Sequence, residues 1–264
     1  MSDDDIEDHD RGLAFDLPKL ITRRRALGVL GGSLTAAALA ACGASNSSSP
    51  AATTSDDGGQ IPEETAGPFP GDGTNGPNVL SESGVVRSDI TKSFGDASGV
   101  AAGVATTVEL TLLDVAGGGK PLAGAAVYLW HCTIDGEYSL YGQSVADENY
   151  LRGVQESDAN GKVTFKTIFP AAYDGRWPHM HFEIYESLDA ATSAGAKLRT
   201  SQLALPKQTC DAVYATSGYE QSVANLAQTS LDTDMVFSDG YAGQLATVSG
   251  SVRSGLSVRL NVGV

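Results

Sequence analysis

Residues 172–185 read Ala-Tyr-Asp-Gly-Arg-Trp-Pro-His-Met-His-Phe-Glu-Ile-Tyr, and this stretch decides the fold class of the chain. From position 179 onward polar and apolar side chains alternate, and a period of two predicts a β-strand. One face of that strand carries His179, His181, Glu183 and Tyr185, and the other carries Met180, Phe182 and Ile184. Two imidazoles side by side on a strand are a ready metal site. A half-buried strand with its polar side chains in solvent would give the same pattern.

Several other segments also predict strands, with turn residues between them. They are residues 107–115, 125–132, 163–170 and 198–205, with two more near 246–249 and 256–262. Residues 71–103 predict an ordered arm or long loop, and residues 142–157 a polar loop. Because residues 210–227 lack alternation, they predict a helix or two. The chain is therefore predicted to be an all-β sandwich with long loops and a short helical segment near 207–228.

The front of the chain predicts export. Arg23, Arg24 and Arg25 precede an apolar stretch that is too short for a comfortable membrane span. The arginine run resembles a twin-arginine signal, and Leu-Ala-Ala before Cys42 resembles a lipoprotein signal. These features predict an export signal over 1–41, lipidation of Cys42 and location on the extracytoplasmic face of the membrane.

Residues 42–60 carry almost no large apolar side chain and predict a flexible tether. The folded domain is then predicted to span 61–264. With 17 Lys and Arg against 32 Asp and Glu, the chain has a formal net charge of −15. That acidity argues against nucleic acid as a partner, since phosphate binding needs basic surface.

Two cysteines remain in the predicted domain, Cys132 and Cys210. An even pair in an exported protein predicts a disulfide. Two separate buried thiols are the alternative.

All three histidines of residues 61–264 lie between positions 131 and 181, and Tyr138 and Tyr173 lie in the same window beside Gly-containing turns. This concentration of metal-ligand types favours a single site. His131 follows Trp130 on a strand that is apolar on both faces. We interpret His131 as a structural residue or as a neighbour of the site, without a bond to metal.

Four segments together resemble the intradiol ring-cleavage dioxygenases, the family of catechol 1,2-dioxygenase and protocatechuate 3,4-dioxygenase. They are Pro-Leu-Ala-Gly-Ala-Ala-Val-Tyr-Leu-Trp-His-Cys from 121, Gly-Glu-Tyr-Ser from 136, Asp-Ala-Asn-Gly from 158 and Arg-Trp-Pro-His-Met-His from 176. Glu-Thr-Ala-Gly-Pro-Phe from 64 and Val-Arg-Ser-Asp-Ile from 86 resemble the opening segment of exported members.

The resemblance implies a mononuclear non-haem Fe(III). Its four protein ligands would be Tyr138, Tyr173, His179 and His181. Arg176 matches the family's active-site arginine. Gln202 matches a glutamine that lies beside the metal ligands, and only its Thr-x-Gln context supports this match. Phenolates suit a hard ferric ion, because a bound cation holds a tyrosine deprotonated.

The implied reaction inserts O2 between the two hydroxylated carbons of a catecholic or hydroxyquinol-type aromatic and gives a muconate-type diacid. Tyr173 matches the ligand that leaves the metal and takes one substrate proton, and hydroxide takes the other. Arg176 would stabilise negative charge that develops on the substrate.

The sequence departs from catechol 1,2-dioxygenases in two respects. Five residues separate Tyr173 from His179, where those enzymes carry a longer insertion, so substrate specificity is not carried over. The helical N-terminal dimerisation domain is also missing, so that mode of dimerisation is not expected. Two alternatives stand beside the dioxygenase: a non-catalytic surface lipoprotein that binds an aromatic or another metal, and a zinc hydrolase, which the scarcity of carboxylates near the histidines disfavours.

Overall fold

A computed structural model describes residues 59–264 of the 264-residue chain. The predicted export signal, the lipidation of Cys42 and residues 43–58 of the predicted tether lie outside the described residues and stay predictions. Among the helices of residues 59–264, none has the length and apolar character needed to cross a membrane.

Nine strands account for most of the regular structure of residues 59–264. They are β1 Ala105–Asp114, β2 Lys120–Pro121, β3 Ala126–Trp130, β4 Arg152–Glu156, β5 Lys162–Ile168, β6 His179–Tyr185, β7 Lys197–Ala204, β8 Thr247–Ser251 and β9 Gly255–Gly263. Three short α-helices, α1 Leu188–Thr192, α2 Lys207–Tyr214 and α3 Glu220–Leu226, and a 3-10 helix at Phe237–Asp239 complete this part of the chain.

The strands form two sheets, which confirms the predicted all-β sandwich. One sheet has the order β2-β1-β9-β8, with β5 also paired to β1. In that sheet β1 and β9 run parallel, with Val108 opposite Val258. The other sheet has the order β4-β3-β6-β7 and is antiparallel throughout. The helices predicted near 207–228 are also present, as α2 and α3.

The main apolar core is built from the alternating faces of the strands. On β1, Val108, Leu110 and Leu112 are fully buried, and the residues between them are at most half-buried. Phe182 and Ile184 of β6 join the same cluster. Full burial of each such side chain stabilises the fold by about 1.5–3 kcal/mol.

The opposite face of β6 is not in solvent. All seven residues of this strand are buried, because residues 61–103, which we call the N-terminal arm, pack over this face of the sheet. The backbone N–H of Glu64 donates to Thr200 O at 2.8 Å, and Lys197 Nζ donates to Asp72 Oδ2 at 2.6 Å. The interpretation of β6 as a strand with a solvated polar face is therefore excluded.

One predicted loop is wrong in part. Residues 142–157 are predicted to be a polar loop, yet Arg152–Glu156 within this range form β4. Gly153 is needed there, because an added Cβ would lie 2.5 Å from Ile90 Cγ2 of the arm. A buried arginine beside this glycine, Arg152, hides the strand from a pattern based on apolar alternation.

The predicted disulfide between Cys132 and Cys210 is also wrong, because both thiols are free and buried. The physical reason is that they pack in different apolar clusters. Cys132 lies with Tyr128 and Trp130 beneath the arm, whereas Cys210 belongs to the main core. Burial raises the pKa of the Cys132 thiol to about 12, which keeps it protonated and unreactive.

His131 connects the two sheets. Its Nδ1 lies 2.8 Å from Cys132 O, and its Nε2 lies 2.7 Å from Thr167 Oγ1 on β5. Because a carbonyl only accepts, Nδ1 carries the proton and Nε2 accepts from the threonine hydroxyl. Burial lowers the pKa of His131 to about 4. His131 is thus a neutral structural histidine, one of the two interpretations drawn from the sequence.

This depressed pKa predicts a pH-dependent stability. The unfolded chain binds a proton at His131 near pH 6.5 and the folded chain does so only near pH 4, so stability falls as the pH drops through that window. Between pH 7.5 and 5.0 the share of His131 in the free energy of unfolding should decrease by about 2 kcal/mol. Urea unfolding at both pH values gives the slope of the free energy of unfolding against pH for wild type and for His131→Gln. The difference between these two slopes measures the share of His131. Equal slopes would contradict the assignment.

Candidate active site

Strand β6 delivers both of its histidines to the face beneath the arm. The Nε2 atoms of His179 and His181 are 3.1 Å apart. Trp130, the register partner of His181 on β3, stacks on the imidazole of His181 with ring centroids 5.0 Å apart and an interplanar angle of 8°. On the arm side, a Cβ added to Gly67 would lie 3.3 Å from Cε1 of His181. The second imidazole is therefore fixed by its strand, a stacked indole and the arm.

The two tyrosines come from loops that meet at a glycine. Tyr138 follows the turn after β3, where the backbone N–H of Thr133 donates to Glu137 O at 2.8 Å. Tyr173 lies in the loop between β5 and β6. Gly136 has a φ of +85°, and an added Cβ would lie 2.9 Å from Tyr173 Cβ. Only glycine accommodates both this backbone conformation and this approach.

Four polar atoms converge at this point. Tyr138 Oη lies 3.2 Å from His181 Nε2 and 3.3 Å from Tyr173 Oη. Tyr173 Oη lies 3.1 Å from His179 Nε2, and the distance from Tyr138 Oη to His179 Nε2 is 3.5 Å. The structure thus brings together all four residues that were predicted as metal ligands.

The spacing of these atoms fits a single metal ion. Four donors bound tetrahedrally at about 2.0–2.1 Å, as N and O ligands bind zinc, stand about 3.3 Å from one another. His179 Nδ1 lies 2.5 Å from Trp177 O, so Nδ1 is protonated and Nε2 offers its lone pair to the centre. This centre has two tyrosines and only two histidines. Within residues 59–264, no group of three or more His, Cys, Asp or Glu side chains is placed to hold a metal.

Burial keeps these four side chains neutral when no cation is bound. It raises the pKa of Tyr138 well above its usual value and that of Tyr173 to about 12. It lowers the pKa of both histidines well below the usual value, and the positive charge of Arg176 adds to this effect. A bound cation reverses the preference of the phenols, because it favours their anions.

Arg176 approaches the same centre, with Nη1 3.4 Å from His179 Nε2. Its Nη2 donates to Gln202 Oε1 at 2.7 Å, and Gln202 Nε2 donates to Thr65 O of the arm at 2.9 Å. Both predicted residues, Arg176 and Gln202, are therefore at the site. Gln202 binds both Arg176 and the arm, so it orients the guanidinium of Arg176.

Two buried residues beside the site were missed by sequence reasoning. Asp234 pairs with Arg176, its Oδ2 lying 2.9 Å from Nε. Arg152 is fully buried and donates to Ser139 Oγ at 3.0 Å and to Ser139 O at 2.8 Å, next to Tyr138. Arg152 stands between Leu151 and Gly153-Val154, and that position of a charge is the signal that could have found it, whereas nothing local marks Asp234.

Arg152 also supports the arm. Its Nη1 donates to Pro70 O at 2.9 Å and to the hydroxyl of Tyr128 at 3.2 Å. One guanidinium therefore joins β4, the Tyr138 turn and the arm through neutral acceptors.

Comparisons with known proteins find dioxygenases among the similar proteins. A family model described as Dioxygenase matches residues 75–198. Catechol 1,2-dioxygenase 1 of Acinetobacter lwoffii is 41% identical over 56 residues, which is 21% of this chain and 18% of that enzyme. The chain thus spans about a fifth of the length of the curated relatives it matches.

Solved structures match over a longer range. The intradiol ring-cleavage dioxygenase from Tetranychus urticae is 27% identical, with a TM-score of 0.59 over 77% of this chain and 93% of that one. The dioxygenase domain of a carbohydrate-binding fusion protein from Streptomyces sp. SirexAA-E shares the fold, at 20% identity and a TM-score of 0.50 over 78% and 97% of the two chains. The chain is therefore similar to the intradiol ring-cleavage dioxygenases, and the resemblance predicted from its motifs is confirmed.

Replacement of Arg152 by Met should destabilise the fold, because it removes a cation from several buried acceptors. We expect the free energy of unfolding to fall by about 3 kcal/mol. Arg259→Met, on the exposed side of β9, should change it by no more than about 0.5 kcal/mol. Urea unfolding of both variants measures the difference, and a small effect of Arg152→Met would contradict the inferred support.

Proposed function

We propose that this protein is a mononuclear non-haem Fe(III) intradiol dioxygenase that acts on a catecholic or hydroxyquinol-type aromatic. The observation that carries the proposal is the convergence of two phenols and two imidazoles, with polar atoms 3.1–3.5 Å apart. The kinship with intradiol dioxygenases supports the same reaction.

Tyr138, Tyr173, His179 and His181 would hold the iron. When bound, Fe(III) supplies a positive charge that favours the phenolates and the catecholate, and an electron acceptor that activates the aromatic ring toward O2. Two phenolates would lower the net charge of a ferric site and favour that oxidation state, and two neutral imidazoles would complete the ligand set. The product is the muconate-type diacid in which both oxygen atoms of O2 are retained.

Tyr173 is the tyrosine that we assign to proton transfer. It is half-buried and lies beside exposed Asp174 and Gly175, whereas the side chain of Tyr138 is enclosed. A Cβ on Gly175 would meet no atom within 4 Å, so this loop has space on its outer side. Tyr173 can therefore swing away from the centre with a substrate proton on its oxygen, while Tyr138 stays in place.

Arg176 supplies the electrostatic contribution. The residue is 6% exposed, and its Nη1 lies on the side of the four-residue centre. A fixed cation in a buried site stabilises negative charge that develops on the substrate and needs no reorganisation to do so.

We also propose that the protein is exported and held at the extracytoplasmic face of the membrane by a lipid on Cys42. The arginine run at 23–25 and Leu-Ala-Ala before Cys42 support this location.

The colour of the iron-loaded protein tests the proposed function. Tyrosinate-to-Fe(III) charge transfer should give a red-brown band that changes when catechol is added without O2. With O2, catechol should be consumed with uptake of one O2 per ring, measured with an oxygen electrode and by product mass. Tyr138→Phe and His179→Ala should both lose the band and lower the rate at least 10-fold.

Tyr241→Phe, which changes a tyrosine outside the site, should retain both colour and rate. A colourless wild-type protein after iron loading would contradict the proposal. A coloured protein that binds catechol without turnover would instead favour a non-catalytic aromatic-binding protein.

Gly136→Ala should displace Tyr173 and weaken iron binding at least 10-fold, because the new methyl group meets Tyr173 Cβ. Gly124→Ala is the matched control, since its φ of +81° is similar but its added Cβ meets no atom within 4 Å. Both variants should lose about 1 kcal/mol of stability to backbone strain. Iron per chain after dialysis against a chelator distinguishes them, and equal retention would refute the role given to Gly136.

A further inference from the structure

Asp234 is a fully buried carboxylate that receives four N–H donors. Its Oδ2 lies 2.9 Å from Arg176 Nε and 2.7 Å from the backbone N of Trp177. Its Oδ1 lies 2.8 Å from the backbone N of Val236 and 3.2 Å from that of Phe237. The last two bonds hold the carboxylate to its own segment, so its other oxygen is presented in a fixed position.

Each of the two groups that donate to Oδ2 connects Asp234 to the site. One is the guanidinium of Arg176, whose Nε binds Asp234 and whose Nη2 binds Gln202. With these two nitrogens engaged, Nη1 is the nitrogen that faces His179 Nε2, at 3.4 Å. The orientation of the cation therefore depends on Asp234 on one side and Gln202 on the other.

The second route passes through the backbone of Trp177. Its N–H donates to Asp234, and its carbonyl accepts from Nδ1 of His179 at 2.5 Å. The protonated Nδ1 is what leaves the lone pair of His179 Nε2 directed at the centre. A single carboxylate thus binds both the guanidinium of Arg176 and the backbone N–H of Trp177, the residue whose carbonyl sets the tautomer of His179.

We propose that Asp234 is a positioning residue of the active site, which orients the guanidinium of Arg176 and fixes the backbone of Trp177 beside His179. This proposal rests on the proposed function. Asp234 touches neither the four convergent atoms nor the space between them, and it acts through Arg176 and Trp177.

The requirement is for a carboxylate rather than for a polar group of the same size. Asp accepts at both oxygens, whereas Asn offers one acceptor oxygen and an NH2 that only donates. In Asp234→Asn, one pair of N–H donors would therefore face another donor, whichever way the amide is turned. A charge-assisted bond to Arg176 would be lost at the same time.

The test compares Asp234→Asn with Asp232→Asn, an exposed aspartate two residues earlier. In iron-loaded protein, Asp234→Asn should lower kcat/KM for catechol 10–100-fold, the range seen when outer hydrogen-bond partners of a metal site are removed. Asp232→Asn should equal wild type. A double-mutant cycle with Arg176→Lys should be strongly non-additive, because the aspartate acts through the arginine.

A second readout needs neither iron nor turnover. In iron-free protein labelled with 15N, the Nε–H of Arg176 should exchange slowly with solvent, and Asp234→Asn should accelerate that exchange at least 10-fold. Assignment comes from loss of the signal in Arg176→Lys. If Asp234→Asn does not fold, Asp234→Glu replaces it, since it keeps the charge but displaces the oxygens.

The outcomes separate this proposal from the proposed function. A wild-type protein without colour or O2 uptake would overturn the dioxygenase function, while the exchange measurement would still report on Asp234. Colour and turnover in wild type, with kcat/KM and Nε–H exchange unchanged in Asp234→Asn, would overturn the positioning role alone. Additive effects in the double-mutant cycle would also overturn it.

Discussion

The constraint on which the rest of this structure depends is the burial of four polar side chains around one point. Burial makes an unpaired donor or acceptor costly, so hydrogen bonds and packing from neighbouring residues surround this point. The surrounding features follow from that need. Trp130 stacks on the imidazole of His181, and Trp177 O accepts from His179. Gln202 accepts from Arg176 through its amide oxygen and donates to the arm through its amide nitrogen. A centre of this kind is neutral without a cation and becomes anionic with one, which matches a site for a highly charged metal ion.

The four-stranded sheet separates stability from chemistry by using its two faces differently. One face of β6 carries Met180, Phe182 and Ile184 into the core, and removal of any of them would leave a cavity. The other carries both histidines and Glu183, whose Oε1 lies 2.6 Å from Lys197 Nζ. An apolar face can fill with interchangeable side chains, but a buried polar face needs specific partners. Substitutions on the two faces therefore have different consequences, loss of packing on one and unpaired polar groups on the other.

The sequence was most informative where a pattern repeats or a motif is local. Alternation predicted β1, β5, β6 and β7, and the His-x-His pair with two tyrosines predicted the members of the centre. It was least informative where one residue acts over a long distance. Asp234 lies 58 residues from Arg176, and nothing local distinguishes it from a solvated aspartate. Arg152 concealed β4 because a buried charge breaks the apolar pattern. The cysteine pair misled for a related reason, since counting says nothing about which cluster each thiol joins.

The hydrogen bond between Gln202 and Thr65 spans 137 residues of chain, and it closes the site. The arm lies near the start of the domain, whereas β7, which it contacts, lies much later in the sequence. Almost the whole domain must therefore be synthesised before the arm can cover the pocket. Contacts of this sequence separation carry a large loop-closure cost and form late in folding. The parallel pairing of β1 with β9 also joins distant segments, since Val108 lies opposite Val258, so the sandwich and its covered pocket both require nearly the whole domain. Because Tyr138, Tyr173, His179 and His181 all lie outside the arm, docking of the arm adds the cover over the site and none of its four donors.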